Sequence, residues 1–354
     1  MEQIQLLLQS MKYNNESQLL ICDDSTISYL LNAPFSTGER LIGLLLSQNQ
    51  TPTLIYNRLF PIPLLPNLEI VPWSDDENPL MKLETMLETR VGIDKSFPSR
   101  FLIPLQAMNR NREFYLTELP DRLRAIKSPD ELEKMRRAST INDEIMSELL
   151  NVLDGTQTER DIANLILTYQ KKHHVSPSFD PIVAFGDHAA DPHAIPTNRK
   201  VNVGEPILID MGCRFEGYCS DMSRTFFFEK CPFPNLYHFV QQANEAAISA
   251  VKPGVTFASV DYAARSIFIE AGLEDAFLHR TGHGIGLSVH EPYDVSATNL
   301  QTIETGMCFS IEPGLYLTNQ LGIRIEDLVT ATSKGVEVLN HFPKNLIIIK
   351  KKNG

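Results

Sequence analysis

Two distant stretches of the sequence follow the same pattern. Residues 204–210 read Gly-Glu-Pro-Ile-Leu-Ile-Asp, and residues 306–312 read Gly-Met-Cys-Phe-Ser-Ile-Glu. Each begins with a glycine, continues through mostly apolar residues, and ends in a carboxylate where a buried strand would normally hold an apolar side chain. A further carboxylate follows each stretch, Asp221 after the first and Glu326 after the second. The repeat predicts two halves related by a pseudo-twofold axis, each supplying two acids to a shared centre.

Predicted helix pairs precede both stretches. Residues 128–131, Ser-Pro-Asp-Glu, form a capping box with proline at the first helical position. From Leu132 to Val152, apolar residues recur at spacings of three and four, which indicates one face of a long helix. Gly155 ends this helix, and Thr158 with Asp161 opens the next. The predicted helices cover about 129–152, 158–169, 236–251 and 259–270.

Histidines and glycines concentrate between the second helix pair and the second strand. Residues 279–291 read His-Arg-Thr-Gly-His-Gly-Ile-Gly-Leu-Ser-Val-His-Glu. Glycines around His283 allow backbone or a ligand to approach its imidazole closely, and the valine and leucine favour a strand. The spacing is not that of a dinucleotide fingerprint, and no ribose-binding acid follows about 20 residues later. His193 precedes the acids of the first half, much as His290 precedes those of the second.

The acids indicate bound metal ions. A buried carboxylate is unfavourable unless it is paired, protonated or bound to a cation, and any one of these acids could be an ion pair or a cap. Four in one pocket repel each other strongly, so we expect about two divalent ions. Oxygen ligands with a single imidazole favour manganese, with cobalt or zinc able to substitute. Because a two-metal centre typically clamps a hydroxide and polarises a carbonyl or phosphoryl group, we predict metal-assisted hydrolysis of an undefined substrate.

Composition limits the remaining possibilities. A chain of 354 residues is long enough for two domains, and a net charge of -12 argues against a nucleic-acid surface. The five cysteines are odd in number and widely spaced, which favours reduced thiols and a cytoplasmic location. The N-terminus lacks a basic region, and no apolar run reaches about 18 residues. We therefore expect a soluble, unprocessed chain that binds no membrane.

Residues 1–125 show no cluster of chemically active side chains. Short apolar runs alternate there with polar breaks, which is typical of strand and strand-helix units of an α/β domain. The runs are 19–22, 27–31, 41–46 and 53–56, and a helix is predicted over 80–87. A structural or oligomerisation role is expected for this region.

The motifs of the C-terminal region together resemble those of the pita-bread metallopeptidases, in the Xaa-Pro aminopeptidase (aminopeptidase P) and prolidase branch. The motifs are Ile-Asp210-Met-Gly, Ser-Asp221-Met-Ser-Arg-Thr, Gly-His283-Gly-Ile-Gly, Ile-Glu312-Pro-Gly and Arg-Ile-Glu326-Asp. The resemblance extends from about Ile126 to Lys350. It implies an α/β (α+β) fold, with a creatinase-type N-terminal α/β domain over 1–125 and a pseudo-twofold pita-bread catalytic domain over 126–354.

The resemblance also implies a role for each site residue. Asp210 would bind one metal ion, His283 and Glu312 the other, and Asp221 and Glu326 both. Glu312 would also be the general base, while His193 and His290 would line the substrate site and stabilise the tetrahedral intermediate. His279, Tyr316 and Arg324 match residues of the substrate pocket and its surroundings, and Arg324 would orient a ligand carboxylate.

The implied activity is hydrolysis of the N-terminal Xaa-Pro bond of peptides with proline at the second position, by a homodimer containing two divalent ions. A prolidase, which cuts only Xaa-Pro dipeptides, uses the same centre, and no residue decides between the two. Methionine aminopeptidases resemble only the C-terminal half of such chains. The residues 1–125 that precede it here therefore argue against that activity. Creatinase does not keep this ligand set, and a non-catalytic binding protein on the same fold would be expected to lose ligands or pocket histidines.

Overall fold

The structure is a computed structural model that describes residues 2–63 and 65–352. The chain divides into two compact units, Met1–Arg124 and Ala125–Gly354. Helices and strands alternate in both units, which confirms the predicted mixed α/β class. In the part of the chain that is described, no helix combines the length and apolarity that crossing a membrane requires.

The first unit contains one mixed sheet with helices packed on it. Its helices are α1 (Glu2–Tyr13), α2 (Asp24–Leu31), α3 (Pro79–Glu84), α4 (Ser99–Met108) and α5 (Leu119–Ala125). Its strands are β1 (Gln18–Ile21), β2 (Gly43–Ser47), β3 (Thr53–Asn57), β4 (Glu69–Trp73), β5 (Arg90–Ile93) and β6 (Glu113–Leu116). The strand order is β4-β3-β2-β1-β5-β6. Two apolar clusters, one around Leu20 and Trp73 and one around Leu19 and Leu44, cover its central strands, so these read as continuous apolar runs.

The secondary structure predicted for this unit is confirmed with two refinements, one of which is that the helix predicted over 80–87 spans Pro79–Glu84 as α3. The runs at 19–22, 41–46 and 53–56 form β1, β2 and β3, while 27–31 belongs to α2. Asp23 begins α2 by accepting a hydrogen bond from the Thr26 N–H, which turns the chain from β1 into a helix.

The second unit is built from paired helices and from sheets whose strands are mostly antiparallel. Its helices are α6 (Pro129–Leu150), α7 (Glu159–Lys172), α8 (Pro234–Ala250) and α9 (Phe257–Glu270), with 3₁₀ turns at Gly186–Ala190 and Glu274–Ala276. Its first strands are β7 (Ser176–Pro177), β8 (Ile182–Phe185), β9 (Pro206–Met211), β10 (Cys213–Phe215), β11 (Tyr218–Cys219) and β12 (Met222–Phe228). The later strands are β13 (Gly282–Gly284), β14 (Glu291–Val295), β15 (Cys308–Ile311), β16 (Gly314–Leu317), β17 (Leu321–Arg324), β18 (Asp327–Thr332), β19 (Gly335–Val338) and β20 (Ile348–Ile349).

The order of these elements repeats, as the sequence predicts. A helix pair is followed by β8, β9 and β12, and a second helix pair by β13, β15 and β18. The two larger sheets have the orders β20-β12-β9-β8 and β14-β13-β15-β18-β19. In each, the strand that leads to the first acid of its half pairs antiparallel with the strand that follows the second acid.

The helix ends follow the capping signals. Both predicted capping boxes are present, Ser128 with Glu131 at α6 and Thr158 with Asp161 at α7. The predicted apolar face of α6 is buried from Met135 to Leu149. Leu132, at the start of the predicted face, is half-buried, and Val152 lies beyond the end of α6 with 37% of its surface exposed.

Arg224 connects β12 to a segment far along the chain. Its buried guanidinium pairs with Asp327 at 2.7 Å and donates to the carbonyl oxygens of Phe342 and Pro343. It also donates to the carbonyl of Glu326 at 2.5 Å. Beyond this segment, β20 pairs in parallel with the end of β12.

Candidate active site

The four predicted acids gather at one end of the paired strands. Asp210 lies near the end of β9, opposite Ser223 of β12, and Asp221 directly precedes β12. Glu312 follows β15 and Glu326 precedes β18. Only Asp210 lies within a strand. The sequence pattern placed Asp210 and Glu312 at the ends of buried strands, and this was wrong for Glu312, which directly follows β15; Asp221 and Glu326 lie in the connections that precede β12 and β18.

His283 joins these acids from β13. Its Nε2 lies 3.4 Å from Glu312 Oε1 and 3.8 Å from Asp221 Oδ2. Ligand atoms of Asp221, His283 and Glu326 all lie within 4.8 Å of one another. A single cation could contact all three, since metal–ligand distances are about 2.0–2.2 Å.

Glycines allow His283 to reach this position. A Cβ on Gly282 would lie 1.9 Å from the Ser310 carbonyl oxygen, and one on Gly284 would lie 2.3 Å from that of Pro292. The sequence predicted that the glycines around His283 allow a close approach of backbone or a ligand. The atoms that approach these glycines are backbone atoms of the neighbouring strands β14 and β15. The predicted strand is short, because it spans only Gly282–Gly284 of the glycine-rich segment.

The carboxylate oxygens and the imidazole nitrogen that meet here are suitable ligand atoms for a metal centre. Within residues 2–63 and 65–352, the buried oxygens Asp210 Oδ1, Asp221 Oδ1 and Glu326 Oε1 have no hydrogen-bond partner. Burial, followed by repulsion from neighbouring acids, raises the pKa values of Asp221 and Glu326 well above their ordinary range. Burial also raises the pKa of Glu312 to about 7, although Arg324 opposes this. Divalent cations would satisfy the unpartnered oxygens and offset the repulsion.

Arg324 lies behind the acids and connects several of them. Its Nη2 donates to Asp210 Oδ2 at 2.6 Å, Nε to Ser223 Oγ at 2.8 Å, and Nη1 to Tyr316 OH at 2.8 Å. Ser223 Oγ in turn donates to Glu326 Oε2 at 2.8 Å. Because Arg324 is only 3% exposed, its fork holds two of the acids in fixed orientations.

The remaining predicted histidines lie around the acids. The rings of His283 and His290 meet edge to face with centroids 4.2 Å apart, and His279 Nε2 lies 2.9 Å from Tyr316 OH. His193 is exposed. Nearby positive charge, chiefly from Arg324 at His279 and from Arg280 at His290, helps to lower the pKa values of these two rings. For both rings, burial is the larger cause, and the pKa of His279 falls to about 4.

Sequence reasoning missed the residues that support the ligands. Ser310 Oγ accepts from the His283 N–H at 3.0 Å and donates to Glu312 Oε1 at 3.2 Å. Buried Asp261 of α9 accepts from Thr281 Oγ1 at 2.8 Å, just before the Gly-His-Gly strand. The available signal was polarity at otherwise apolar positions: Ser310 interrupts an apolar strand, and Asp261 lies on the buried face of α9.

Fold and site together define a metal-dependent peptidase. The chain belongs to metallopeptidase family M24, whose model matches residues 133–333. An uncharacterised peptidase of Staphylococcus aureus (strain bovine RF122) is 36% identical over 338 residues, which cover 91% of this chain and 95% of that protein.

Solved structures are similar over almost the whole chain. A prolidase from Thermococcus sibiricus superposes with a TM-score of 0.89 at 31% identity, covering 98% of both chains. The dipeptidase PepE from Mycobacterium ulcerans gives 0.91 at 31% identity, covering 99% of this chain and 97% of its own. An X-Pro aminopeptidase from Thermotoga maritima gives 0.80 at 25% identity, covering 96% and 100%. The suspected branch of pita-bread enzymes is thereby confirmed.

Proposed function

We propose that this protein is a metal-dependent exopeptidase that hydrolyses the N-terminal Xaa-Pro bond of peptides. The observation that carries the proposal is the convergence of four carboxylates and one imidazole, with three buried carboxylate oxygens unpartnered among the described residues. In the proposed ligand set, Asp210, Asp221, His283, Glu312 and Glu326 would hold two divalent ions, with Asp210 serving one ion, His283 and Glu312 the other, and Asp221 and Glu326 shared between them. Oxygen ligands with a single imidazole support manganese, with cobalt or zinc as substitutes.

The ions would supply an activated water and polarise the scissile carbonyl. Glu312 accepts the proton of the attacking water, while Ser310 Oγ holds the carboxylate at 3.2 Å. His290 lies next to His283, and its ring N–H can donate to the developing oxyanion. His193, which comes from the first half of the unit, would also donate a ring N–H to the oxyanion. His279 and Tyr316 form a hydrogen-bonded wall of the substrate pocket, with Tyr316 tied to Arg324.

A dipeptidase is the second candidate. The prolidase and the dipeptidase PepE share 31% identity with this chain, whereas the X-Pro aminopeptidase shares 25%. The two activities use the same centre and differ in the far side of the pocket, where a dipeptidase recognises the free carboxylate of proline.

The proposal extends to the whole molecule. Residues 1–125 form a creatinase-type N-terminal domain and residues 126–354 the catalytic domain of a cytoplasmic homodimer. The resemblance of the motifs supports this arrangement. Light scattering coupled to size-exclusion chromatography tests the homodimer, and a monomer at micromolar concentration would contradict it.

The decisive experiment compares an Xaa-Pro dipeptide with an Xaa-Pro-Yaa tripeptide, both supplied with manganese and followed by product analysis. Cleavage of the tripeptide to Xaa and Pro-Yaa establishes the aminopeptidase. Cleavage of the dipeptide alone establishes the prolidase. If neither is cut while metal analysis shows occupied sites, the chain is a binding protein on this fold.

A further inference from the structure

Glu159 is a fully buried carboxylate that the proposed chemistry does not use. It is the first residue of α7, and none of its side chain is exposed. Its Oε1 accepts from the Phe185 N–H at 2.8 Å, and its Oε2 accepts from Thr197 N–H at 2.9 Å and Thr197 Oγ1 at 2.6 Å. His188 Nδ1 lies 2.9 and 3.0 Å from the two oxygens and donates to them.

These donors lie at both ends and inside one connection. Phe185 ends β8, His188 lies in the 3₁₀ turn, and Thr197 lies before β9. The connection between them carries His193. Backbone bonds strengthen the same junction, since the Glu159 N–H donates to the Arg199 carbonyl at 3.1 Å. One carboxylate therefore closes the loop on which His193 is carried.

The loop also contacts the metal-ligand network on its other side. Arg324 Nη1 reaches the Pro192 carbonyl at 3.4 Å, immediately before His193. A Cβ on Gly322 would lie 1.7 Å from the Ala189 carbonyl oxygen, so β17 packs directly on the loop. Because His193 is exposed, the place of its ring follows from how this backbone is held.

We propose that Glu159 is a positioning residue that places His193 over the substrate. The proposal deepens the proposed function and rests on it, because it takes His193 as the group that touches the reacting peptide. Four donors converge on Glu159, and an ionised carboxylate is the side chain that offers only acceptors to them. Removing it would leave buried donors unsatisfied and release both ends of the loop.

The alternative is that Glu159 stabilises only its own helix, because an acid at the start of a helix interacts favourably with the helix dipole. Asp161 provides the matched control for that role. It lies in the same turn of α7, and its carboxylate accepts only from Thr158 N–H and Oγ1, at 2.9 and 2.8 Å, among the described residues. Asp161→Asn removes the same charge from the same helix end without touching the loop.

The kinetic experiment compares Glu159→Gln with Asp161→Asn in metal-loaded protein. The glutamine keeps the shape but turns an amide donor toward the existing donors. We expect kcat to fall about 10- to 100-fold with KM unchanged, as for loss of a group that orients an active-site residue. Asp161→Asn should keep the wild-type kcat. Equal losses in both variants would overturn the proposal.

A double-mutant cycle separates positioning from general stability. In a His193→Ala background, Glu159→Gln should cause no further loss of kcat, because the group it positions is absent. If the two losses multiply, Glu159 does not act through His193 and the proposal is wrong.

Amide hydrogen exchange of residues 185–197 gives a readout that needs no substrate. Exchange should be faster in Glu159→Gln than in wild type and unchanged in Asp161→Asn. Unchanged exchange in Glu159→Gln would show that Glu159 does not hold the loop. If wild-type protein cleaves no Xaa-Pro peptide, the proposed function fails, and this measurement still decides whether Glu159 holds the loop.

Discussion

The two halves of the second unit place different strands at corresponding positions. In the first half, β8 (Ile-Val-Ala-Phe) lies beside β9, and its Val183, Ala184 and Phe185 are buried in apolar clusters. In the second half, β13 (Gly-His-Gly) lies beside β15. The same arrangement of strands thus supplies core packing in one half and an imidazole in the other.

This difference makes the two sides of the site chemically unequal. Asp210 of the first half is paired with Arg324, which comes from the second half. Glu312 of the second half lies beside His283 of its own half. The repeat therefore accounts for acids in both halves, while the glycines of β13 let the second half alone bring an imidazole, that of His283, beside the acids.

The largest expected effect follows from removing Glu312, the second-half acid that we propose as both metal ligand and general base. Glu312→Ala should lower kcat by about a thousandfold or more, because it loses proton transfer as well as a metal ligand. Circular dichroism and thermal unfolding should show that the fold persists. Turnover at the wild-type rate would refute the role of Glu312.

Next in size is the contrast between two neighbouring histidines. His290→Ala should lower kcat about a hundredfold while the protein keeps its metal, because His290 acts on the substrate. His283→Ala should lose metal, because its Nε2 faces the acids. Elemental analysis of both variants checks this, and metal loss from His290→Ala would mean that its role is misassigned.

Opposite substitutions in the corresponding strands test the steric argument. Gly282→Ala should lower the free energy of unfolding by about 1–3 kcal/mol, because the new Cβ meets the Ser310 backbone. Ala184→Gly in β8 should cost only about 0.5–1 kcal/mol. Chemical denaturation measures both, and a neutral Gly282→Ala would show that β13 has room to shift.

The smallest expected effect concerns Glu326, whose charge should affect the free energy of unfolding in opposite directions without and with bound metal. Without metal, Glu326→Gln should raise the free energy of unfolding by about 1 kcal/mol, because it removes one of several mutually repelling buried carboxylates. With manganese, the same variant should be less stable than wild type, because a ligand is lost. Thermal unfolding with chelator and with metal measures both; a stabilising effect in both conditions would argue against metal ligation by Glu326.

The sequence was most informative where a signal is local. Each capping box lies within four consecutive residues, so the starts of α6 and α7 could be read directly. The repeat of strand and acid was also visible, because Asp210 and Glu312 each end an apolar run.

What could not be predicted depends on contacts between distant residues. Glu159 meets Thr197, 38 residues away, and Ser223 meets Glu326, 103 residues away. No periodicity relates such partners, so a serine or an acid on a buried face gives no indication of which segment it will hold.

The buried Arg224 also has a consequence for how the protein is made. It contacts the carbonyl of Pro343, which follows it by 119 residues. A ribosome adds about 5–20 residues per second, so roughly 6–24 s separate the synthesis of these two partners. Throughout that interval, Arg224 of β12, the strand that follows Asp221, lacks its contact with Pro343, and Glu326 is itself added only 17 residues before Pro343. A nascent chain that already contains every residue proposed as a ligand therefore still lacks a contact that completes the fold around them.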